Sequence, residues 1–386
     1  LRVHPVILPA RRGLPVVQWF YNDALMDWYK CQPFDERFWA ILAPYMANLP
    51  EHGQDTILVP AFTPPTDGVK RPTQLLGVKR RGRRFEFNWR DVKRYVDLAR
   101  RNGIRNFEWN HFFSQWGVKH ALRIYEGQGL DEQLLWPADT PATSPIYKAF
   151  LSQFMPELHR FLARERLLDR SFFHVSDEPH GEEALANYRA ARALLRDVAP
   201  WMKTMDALSE IVYGREKITD MPVPVISVAK QYYKEHIPSF AYFCCWPRGR
   251  YVNRLLDTPL LKIRMLGWLL YRFRMLGFLH WGYNYWYKSQ TRTMIDPFAE
   301  SSGCFWPNWA YGDPFVVYPG PDGPLDSIRW EMFAMSMEDY ALLQARDVDP
   351  EGRFLAELRD FNKFPKTQRW FGATHRRLLE GDIEEG

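Results

Sequence analysis

Between residues 172 and 180 the sequence reads Phe172-Phe173-His174-Val175-Ser176-Asp177-Glu178-Pro179-His180. Its first four residues are mostly aromatic or β-branched, which predicts a buried strand, and the proline after the two carboxylates ends that strand. Residues 181–198 follow with apolar side chains at helical spacing, which predicts an amphipathic helix. A strand followed by a helix that returns over the sheet is the repeating unit of parallel α/β folds.

The same unit recurs along most of the chain. Helical spacing predicts helices at 35–49, 88–101, 181–198, 259–276 and 327–343, with a further helix that begins at Ser144 and Pro145. Eight parallel strands joined by crossover helices predict an α/β fold, a (β/α)8 barrel of the TIM type. An open doubly wound sheet is less favoured, because the first strand-to-helix turn at residues 21–24 contains no glycine. The predicted strands cover residues 15–21, 56–59, 106–109, 172–175, 202–205, 223–228, 240–244 and 277–281.

The predicted barrel divides the chain into three parts. We interpret residues 1–14 as a linker or the remnant of a preceding domain, residues 15–365 as one catalytic barrel, and residues 366–386 as a C-terminal tail. The chain begins at Leu1, with neither an initiator Met nor a signal peptide, so we interpret it as a fragment or a mature form and predict no compartment.

Composition excludes several classes of protein. A chain of 386 residues with 46% hydrophobic and 25% charged residues buries a sizeable core, which excludes disorder, and its 4 Cys form neither a disulfide framework nor a metal-binding spacing. The net charge is +5, and the basic residues are spread along the chain. Their densest run, residues 79–84, is typical of a solvated hairpin rather than a nucleic-acid surface. No apolar run is long enough to span a membrane. The chain is rich in aromatic residues, with 16 Trp, 19 Tyr and 26 Phe.

The carboxylates Asp177 and Glu178 are the strongest candidates for catalysis, because active sites of such barrels lie at the carboxyl ends of the strands. Hydrolysis of a glycosidic bond needs one protonated carboxyl group and a second group that stabilises the cationic carbon. Two other interpretations remain open. Asp177 could cap the following helix, or His174, Asp177 and His180 could bind a metal, although no metalloprotease-type spacing accompanies them.

The second carboxylate expected for direct attack is missing after the seventh strand. Residues 240–246 contain no Asp or Glu, and the next one is Asp257. Direct nucleophilic attack by such a residue is therefore disfavoured. Substrate assistance, in which the 2-acetamido oxygen of the sugar attacks its own anomeric carbon, needs carboxylates on one face of the ring and suits an adjacent pair.

At this point the sequence resembles a known family, the catalytic domain of glycoside hydrolase family 123. The resemblance extends from about residue 15 to residue 345 and rests on motifs at separate strand ends, in the expected order. They are Trp19-Phe20-Tyr21-Asn22-Asp23, Trp109-Asn110-His111-Phe112-Phe113 with Trp116-Gly117, Ser176-Asp177-Glu178-Pro179, Trp281-Gly282-Tyr283-Asn284-Tyr285-Trp286, and Gly312-Asp313-Pro314 with Tyr318-Pro319-Gly320.

The resemblance implies a retaining β-N-acetylgalactosaminidase that acts by substrate assistance. The Asp-Glu pair of the family falls on Asp177, which would polarise the acetamido group, and Glu178, which would act as general acid and then base. Family members usually carry a β-sandwich before the barrel, so the resemblance implies either a truncated chain or a relative that consists of the catalytic domain alone.

Polar and aromatic residues near strand ends are candidates for substrate binding, because sugars stack their C–H faces on aromatic rings and hydrogen-bond through their hydroxyls. Trp19 and Trp281 lie inside strand runs, which favours core packing for both. The predicted substrate-binding residues are Asn110, His111, His174, Trp246, Tyr283, Asn284, Tyr285, Trp286, Trp306 and Asp313.

The sequence thus predicts a retaining exo-glycosidase for terminal β-linked N-acetylhexosamine, with N-acetylgalactosamine as the expected sugar. We expect no metal or organic cofactor, a carbohydrate as the binding partner, and neither nucleic acid nor a membrane span; the oligomeric state is not predicted. One alternative is a barrel hydrolase for a sugar without an acetamido group. Another is a carbohydrate-binding protein without activity.

Overall fold

The parallel strands of the protein are short. The computed structural model describes residues 3–4, 6–64, 73–128 and 133–383. Strands β2 and β3 pair in parallel, as do β3 and β4, β5 and β6, β7 and β8, and β8 and β1. The eight strands are β1 (Val16–Gln18), β2 (Thr56–Val59), β3 (Asn106–Trp109), β4 (Ser171–Phe173), β5 (Met205–Asp206), β6 (Met221–Pro222), β7 (Ala241–Tyr242) and β8 (Phe278–His280).

Single parallel bridges and side chains join the remaining neighbours. A bridge between Phe173 and Thr204 links the end of β4 to the start of β5, and a bridge between Val225 and Tyr242 links the segment after β6 to β7. Among the described residues no ladder joins β1 to β2. Side chains connect them instead, since the backbone N–H of Val16 donates to Asp55 Oδ1 at 2.9 Å. The neighbours therefore follow chain order from β2 to β8 and return to β1.

Helices pack against these strands, as a mixed α/β architecture requires. Side-chain caps define several helix starts, for example at Asp35, which accepts a hydrogen bond from the backbone N–H of Phe38, and at Ser327, which accepts one from that of Trp330. The helices are α1 (Asn22–Tyr29), α2 (Glu36–Glu51), α3 (Arg90–Arg101), α4 (Pro145–Arg164), α5 (Gly181–Val198), α6 (Val212–Arg215), α7 (Ile226–Lys234), α8 (Leu260–Arg272), α9 (Ile328–Ala345) and α10 (Gln368–Glu380).

Among the described residues, three antiparallel hairpins lie outside the parallel strands. The first pairs Gly77–Arg81 with Arg84–Asn88, which confirms the hairpin predicted for the basic run. The second pairs Tyr125–Glu126 with Gln133–Leu134, and the third pairs Val317–Pro319 with Pro324–Asp326. No helix within the described residues is both long and apolar enough to cross a membrane.

Two segments differ from the expectations. The strand predicted at residues 223–228 is wrong, because β6 ends at Pro222 and α7 begins at Ile226. The β-branched residues there resemble a strand locally, but Ile226, Ala229 and Tyr232 are buried at helical spacing. The segment that we set apart as a C-terminal tail contains α10, whose Phe371 packs edge-on against Trp268 of α8 at 5.9 Å between ring centroids.

Candidate active site

A pocket opens at the carboxyl ends of the parallel strands. Five strands contribute to it: β1, β4, β5, β7 and β8 each supply a lining residue at or just beyond their end. Loops after β3 and β8 supply the remaining wall. The lining residues are Trp19, Trp116, Asp177, Glu178, Ala207, Tyr242, Cys244, Leu279, Trp281, Trp306 and Trp309.

The two carboxylates Asp177 and Glu178 both line this pocket. Side chains of adjacent residues point in opposite directions only while the backbone stays extended. Here β4 has already ended at Phe173, and Glu178 adopts a left-handed conformation with φ of 41°. The turn therefore brings neighbours in the sequence to the same pocket.

Tyr242 at the end of β7 holds Glu178. Its hydroxyl donates to Glu178 Oε1 at 2.5 Å. Burial and the neighbouring charge of Glu178 raise the pKa of Tyr242 well above its ordinary value, so the phenol keeps its proton. A buried hydroxyl on a carboxylate oxygen is a strong hydrogen bond, and it fixes the position of the side chain.

Asp206 at the end of β5 holds the backbone that precedes the carboxylate pair. Its Oδ1 accepts hydrogen bonds from the N–H groups of Val175 at 3.0 Å and Ser176 at 3.2 Å. Its Oδ2 accepts from the hydroxyl of Tyr188 at 2.5 Å. Asp206 is fully buried. The turn that carries Asp177 and Glu178 is therefore anchored to a neighbouring strand.

His174 is a buried imidazolium between two carboxylates. Its Nε2 lies 2.6 Å from Glu108 Oε1 and its Nδ1 lies 3.2 Å from Asp206 Oδ1. Burial lowers the pKa of His174, but the charges and hydrogen bonds of the two carboxylates outweigh this effect and raise the pKa to about 10. Glu108 Oε1 also accepts from Trp19 Nε1 at 2.7 Å, so the same cluster positions one wall of the pocket.

His111 stacks on His174 with 4.4 Å between ring centroids. Burial lowers the pKa of His111 well below its ordinary value, and the positive charge of His174 acts in the same direction. His111 is therefore neutral near pH 7. Both of its ring nitrogens are buried without a hydrogen-bond partner among the described residues.

Asp313 anchors the opposite wall. Its Oδ2 accepts hydrogen bonds from Trp281 Nε1 at 2.7 Å and Trp309 Nε1 at 2.9 Å, and its Oδ1 lies 3.1 Å from His280 Nε2. Burial and the charge of Arg254 lower the pKa of His280 to about 4. The ring is therefore neutral near pH 7. Its Nδ1 accepts from Arg254 at 2.5 Å, which leaves the proton on Nε2, facing Asp313.

The structure brings some of the predicted site residues together and separates others. Asp177, Glu178 and Trp306 line the pocket. His111, His174 and Asp313 lie buried behind its walls. Trp246 is 54% exposed and is not among the lining residues. The remaining predicted residues are buried and contact other parts of the protein. Four of them form hydrogen bonds: Asn110 with Phe62, Asn284 with Tyr21, Tyr283 with Asn48, and Trp286 with Val317. The ring of Tyr285 packs between those of Tyr21 and Trp281.

Both competing interpretations of the carboxylate pair fail. The N-cap of α5 is His180, and no side chain caps this helix, so Asp177 is not its cap. His180 is exposed, 3.9 Å from Glu210, whereas His174 faces the interior. In the described part of the chain His174 groups with His111 and Asp206 instead.

Several residues of the site were not expected from the sequence. Trp19 and Trp281 are buried in the core, as expected, but they also line the pocket, and their indole nitrogens donate hydrogen bonds to buried carboxylates. Tyr242, Glu108 and Asp206 lie in or at the end of predicted strands. For Asp206, the position just after the strand predicted at 202–205 was a usable signal, whereas Tyr242 and Glu108 lie inside predicted strands, where residue type alone did not indicate a role.

Three solved structures of glycosidases are similar to this chain at low sequence identity. A catalytic mutant of Gan42B, a GH42 beta-galactosidase from G. stearothermophilus, gives a TM-score of 0.47 at 10% identity over 92% of this chain and 58% of its own. The exo-beta-1,4-mannosidase Op5Man5 from Opitutaceae bacterium strain TAV5 gives 0.46 at 11% identity, over 86% and 61%. A Bacteroidetes-affiliated GH5 cellulase gives 0.47 at 10%, over 86% and 94%. The chain thus spans 58% of the length of the beta-galactosidase.

A comparison with curated protein sequences gave no match. The model of one family, "Glycoside hydrolase 123, catalytic domain", matches residues 19–346. That range contains every residue that lines the pocket. The chain belongs to the glycoside hydrolase 123 family.

Proposed function

We propose that this protein is a retaining exo-glycosidase that removes terminal β-linked N-acetylhexosamine, with N-acetylgalactosamine as the preferred sugar, by substrate assistance. One observation carries the proposal. Among the described residues that line the pocket, the carboxylates are Asp177 and Glu178, which are adjacent in the sequence. A glycosidase whose two carboxylates approach the sugar from one side needs a nucleophile from elsewhere, and a 2-acetamido group provides it.

In the proposed mechanism Asp177 binds and polarises the acetamido group, so that its carbonyl oxygen attacks the anomeric carbon. Glu178 protonates the glycosidic oxygen as the leaving group departs. The resulting oxazolinium ring is then opened by water, from which Glu178 takes a proton. Two displacements at the same carbon retain the β configuration.

The end of β7 supports this route over direct attack by an enzyme carboxylate. Its pocket-lining residues are Tyr242 and Cys244, neither of which is a carboxylate. Tyr242 instead donates to Glu178. Its place in the mechanism is to hold the acid/base side chain.

The aromatic walls support binding of a sugar. Trp19, Trp281 and Trp309 are each held by a hydrogen bond from the indole nitrogen to a buried carboxylate. Rings fixed in this way provide stacking surfaces for C–H groups. We assign direct contact with the sugar to Trp306, and a supporting role to His111, His174 and Asp313 behind the walls. Contact by Trp246, Asn110 or the buried residues 283–286 requires movement on binding.

The proposal extends to the architecture. We infer that β1 to β8 close into a (β/α)8 barrel, because their neighbours follow chain order and return to β1. Residues 15–365 are the proposed catalytic unit, preceded at 1–14 by a linker or the remnant of another domain and followed by a C-terminal tail at 366–386.

A panel of aryl β-glycosides of N-acetylgalactosamine, N-acetylglucosamine, galactose and glucose tests the proposed substrate. We expect hydrolysis of the two acetamido sugars, with N-acetylgalactosamine faster, and strong inhibition by its thiazoline analogue. Hydrolysis of plain galactosides without thiazoline inhibition would favour a hydrolase for another sugar. Binding without hydrolysis of any glycoside would favour a carbohydrate-binding protein.

A further inference from the structure

Trp116 is the most exposed of the aromatic residues that line the pocket. Its side chain is 46% exposed, whereas Trp19 and Trp281 are 2% and 8% exposed. The pocket is therefore closed at the buried tryptophans and open at Trp116. An exo-glycosidase holds the terminal sugar at the closed end and leaves the rest of the substrate at the mouth.

The indole of Trp116 contributes little to the fold. Its backbone has φ of 60°, a left-handed conformation that favours glycine over any residue with a Cβ. The backbone N–H donates to the carbonyl oxygen of Asp177 at 2.8 Å, a hydrogen bond that glycine would also form. No described aromatic ring packs on the indole. A large half-exposed ring on a strained backbone points to a role in binding rather than in stability.

The backbone hydrogen bond from Trp116 to Asp177 brings the backbone of Trp116 close to that of Glu178, the proposed general acid. The backbone of Trp116 is hydrogen-bonded to Asp177, the residue that precedes Glu178, and the side chains of Trp116 and Glu178 line the same pocket. The glycosidic oxygen must lie at that donor, and it separates the terminal sugar from the leaving group. An exposed ring in the pocket that also contains this donor is suitably placed to meet the leaving group.

We propose that Trp116 is a stacking platform for the leaving group, and that this leaving group is a second sugar, whose C–H face packs on the indole. The inference rests on the proposed function, because it requires Glu178 to act as the acid. It makes the protein an enzyme for a glycan in which the terminal residue is linked to another pyranose. The serine or threonine side chain that carries a glycan, or the alkyl chain of a lipid, would offer no comparable apolar ring face.

The test compares two substrates in the wild type and in Trp116→Gly. One is the β-glycosyl fluoride of the sugar that the wild type hydrolyses, whose leaving group is a single atom, and the other is the corresponding β-linked disaccharide. Trp116→Gly should lose about tenfold or more in kcat/KM on the disaccharide and less than twofold on the fluoride. Trp116→Phe should restore most of the disaccharide activity. Glycine suits the backbone at this position, so the melting temperature of Trp116→Gly should not fall.

The matched control is Phe298→Ala. Phe298 is 57% exposed and does not line the pocket, so both substrates should be hydrolysed at the wild-type rate. If Trp116→Gly lost the same factor in kcat/KM on the fluoride and the disaccharide, or lost none on either, Trp116 would not be a platform for the leaving group. A loss on a serine-linked glycopeptide without a loss on the disaccharide would overturn the choice of a sugar. The panel of aryl β-glycosides tests the proposed function separately, because it uses only the wild type.

Discussion

At the scale of single residues, the site depends on how Asp177 and Glu178 are held. Both belong to a turn whose backbone is bound by Asp206, and Glu178 is bound in addition by the hydroxyl of Tyr242. The two carboxylates have different roles in the proposed mechanism, so their substitution should affect different steps.

The first prediction concerns the leaving group. Glu178→Gln should reduce kcat/KM by at least about 100-fold on alkyl glycosides, and by much less on aryl glycosides with good leaving groups, because acid assistance matters less when the leaving group departs easily. Asp177→Asn should lose activity on both kinds of substrate. Rates over a series of aryl glycosides of graded leaving-group pKa provide the measurement. Equal losses for Glu178→Gln across the series would contradict its role as the acid.

The second prediction concerns Tyr242. Removal of its hydroxyl in Tyr242→Phe should reduce kcat by about tenfold or more, because a hydrogen bond to a charged group contributes about 1.5–3 kcal/mol and here fixes the catalytic side chain. Tyr233→Phe is a matched control, since its hydroxyl donates to Glu351 Oε1 at 2.6 Å on the surface. Steady-state kinetics should show a loss for the first variant only. An unchanged kcat in Tyr242→Phe would remove Tyr242 from the mechanism.

At the scale of elements, helices α8 and α9 pack closely where glycine is required. The backbone N–H of Gly267 donates to Ser336 Oγ at 2.6 Å, and the carboxylate of Asp339 binds Arg264 at 2.8 Å one turn away. A Cβ at Gly267 would overlap the carbonyl oxygen of Ser336 and lie 2.9 Å from its carbon. Both atoms belong to a helix backbone, which cannot move without separating the two helices.

The third prediction follows from this contact. Gly267→Ala should lower the free energy of unfolding by about 1–3 kcal/mol, because the added methyl group overpacks the interface. Gly372→Ala in α10 is the matched control: no atom lies within 4 Å of its Cβ position, so it should raise the free energy of unfolding by up to about 1 kcal/mol through helix propensity. Urea denaturation of both variants measures the difference. A stability of Gly267→Ala equal to that of the wild type would show that the helices adjust.

At the scale of the whole molecule, buried histidines with opposite charge states make stability depend on pH. The pKa of His174 is raised from 6.5 to about 10 by Glu108 and Asp206, against the effect of burial, whereas that of His280 is lowered to about 4 by burial and Arg254. Between pH 6.5 and 10 the folded chain retains a proton on His174 that the unfolded chain has lost. The contribution of His174 is therefore complete below pH 6.5 and is lost as the pH rises to 10.

The fourth prediction is a difference in slope. Relative to His174→Gln, the wild type should lose free energy of unfolding at up to about 1.4 kcal/mol per pH unit above pH 6.5. His280→Gln should instead change the slope of the free energy of unfolding below pH 6.5. Between pH 4 and 6.5 His280 binds a proton in the unfolded chain but not in the folded chain. Denaturation from pH 5 to 10 measures both slopes. Parallel curves for the wild type and His174→Gln above pH 6.5 would contradict a buried imidazolium.

Much of the fold could be predicted from local pattern. Strands β2 and β3 and helix α5 have the predicted bounds. Each has a regular apolar pattern, and residues that end an element lie nearby, such as Gly103 between α3 and β3 and Pro179 before α5. Residues 223–228 could not be predicted in this way. A run of β-branched residues fits an extended strand or one buried helix face equally well, and only the neighbours of Ile226 decide between them.

The sequence by itself determined the alternation of strands and helices and the presence of two adjacent carboxylates at a strand end, since both depend on residues that are close in the chain. Only the tertiary structure decided what surrounds those carboxylates. Tyr242 lies 64 residues from Glu178, and Asp206 lies 31 residues from the N–H of Val175 that it binds. Such pairs meet because parallel strands bring their carboxyl ends to one edge, where burial makes each polar group bind the nearest partner whatever its distance along the chain.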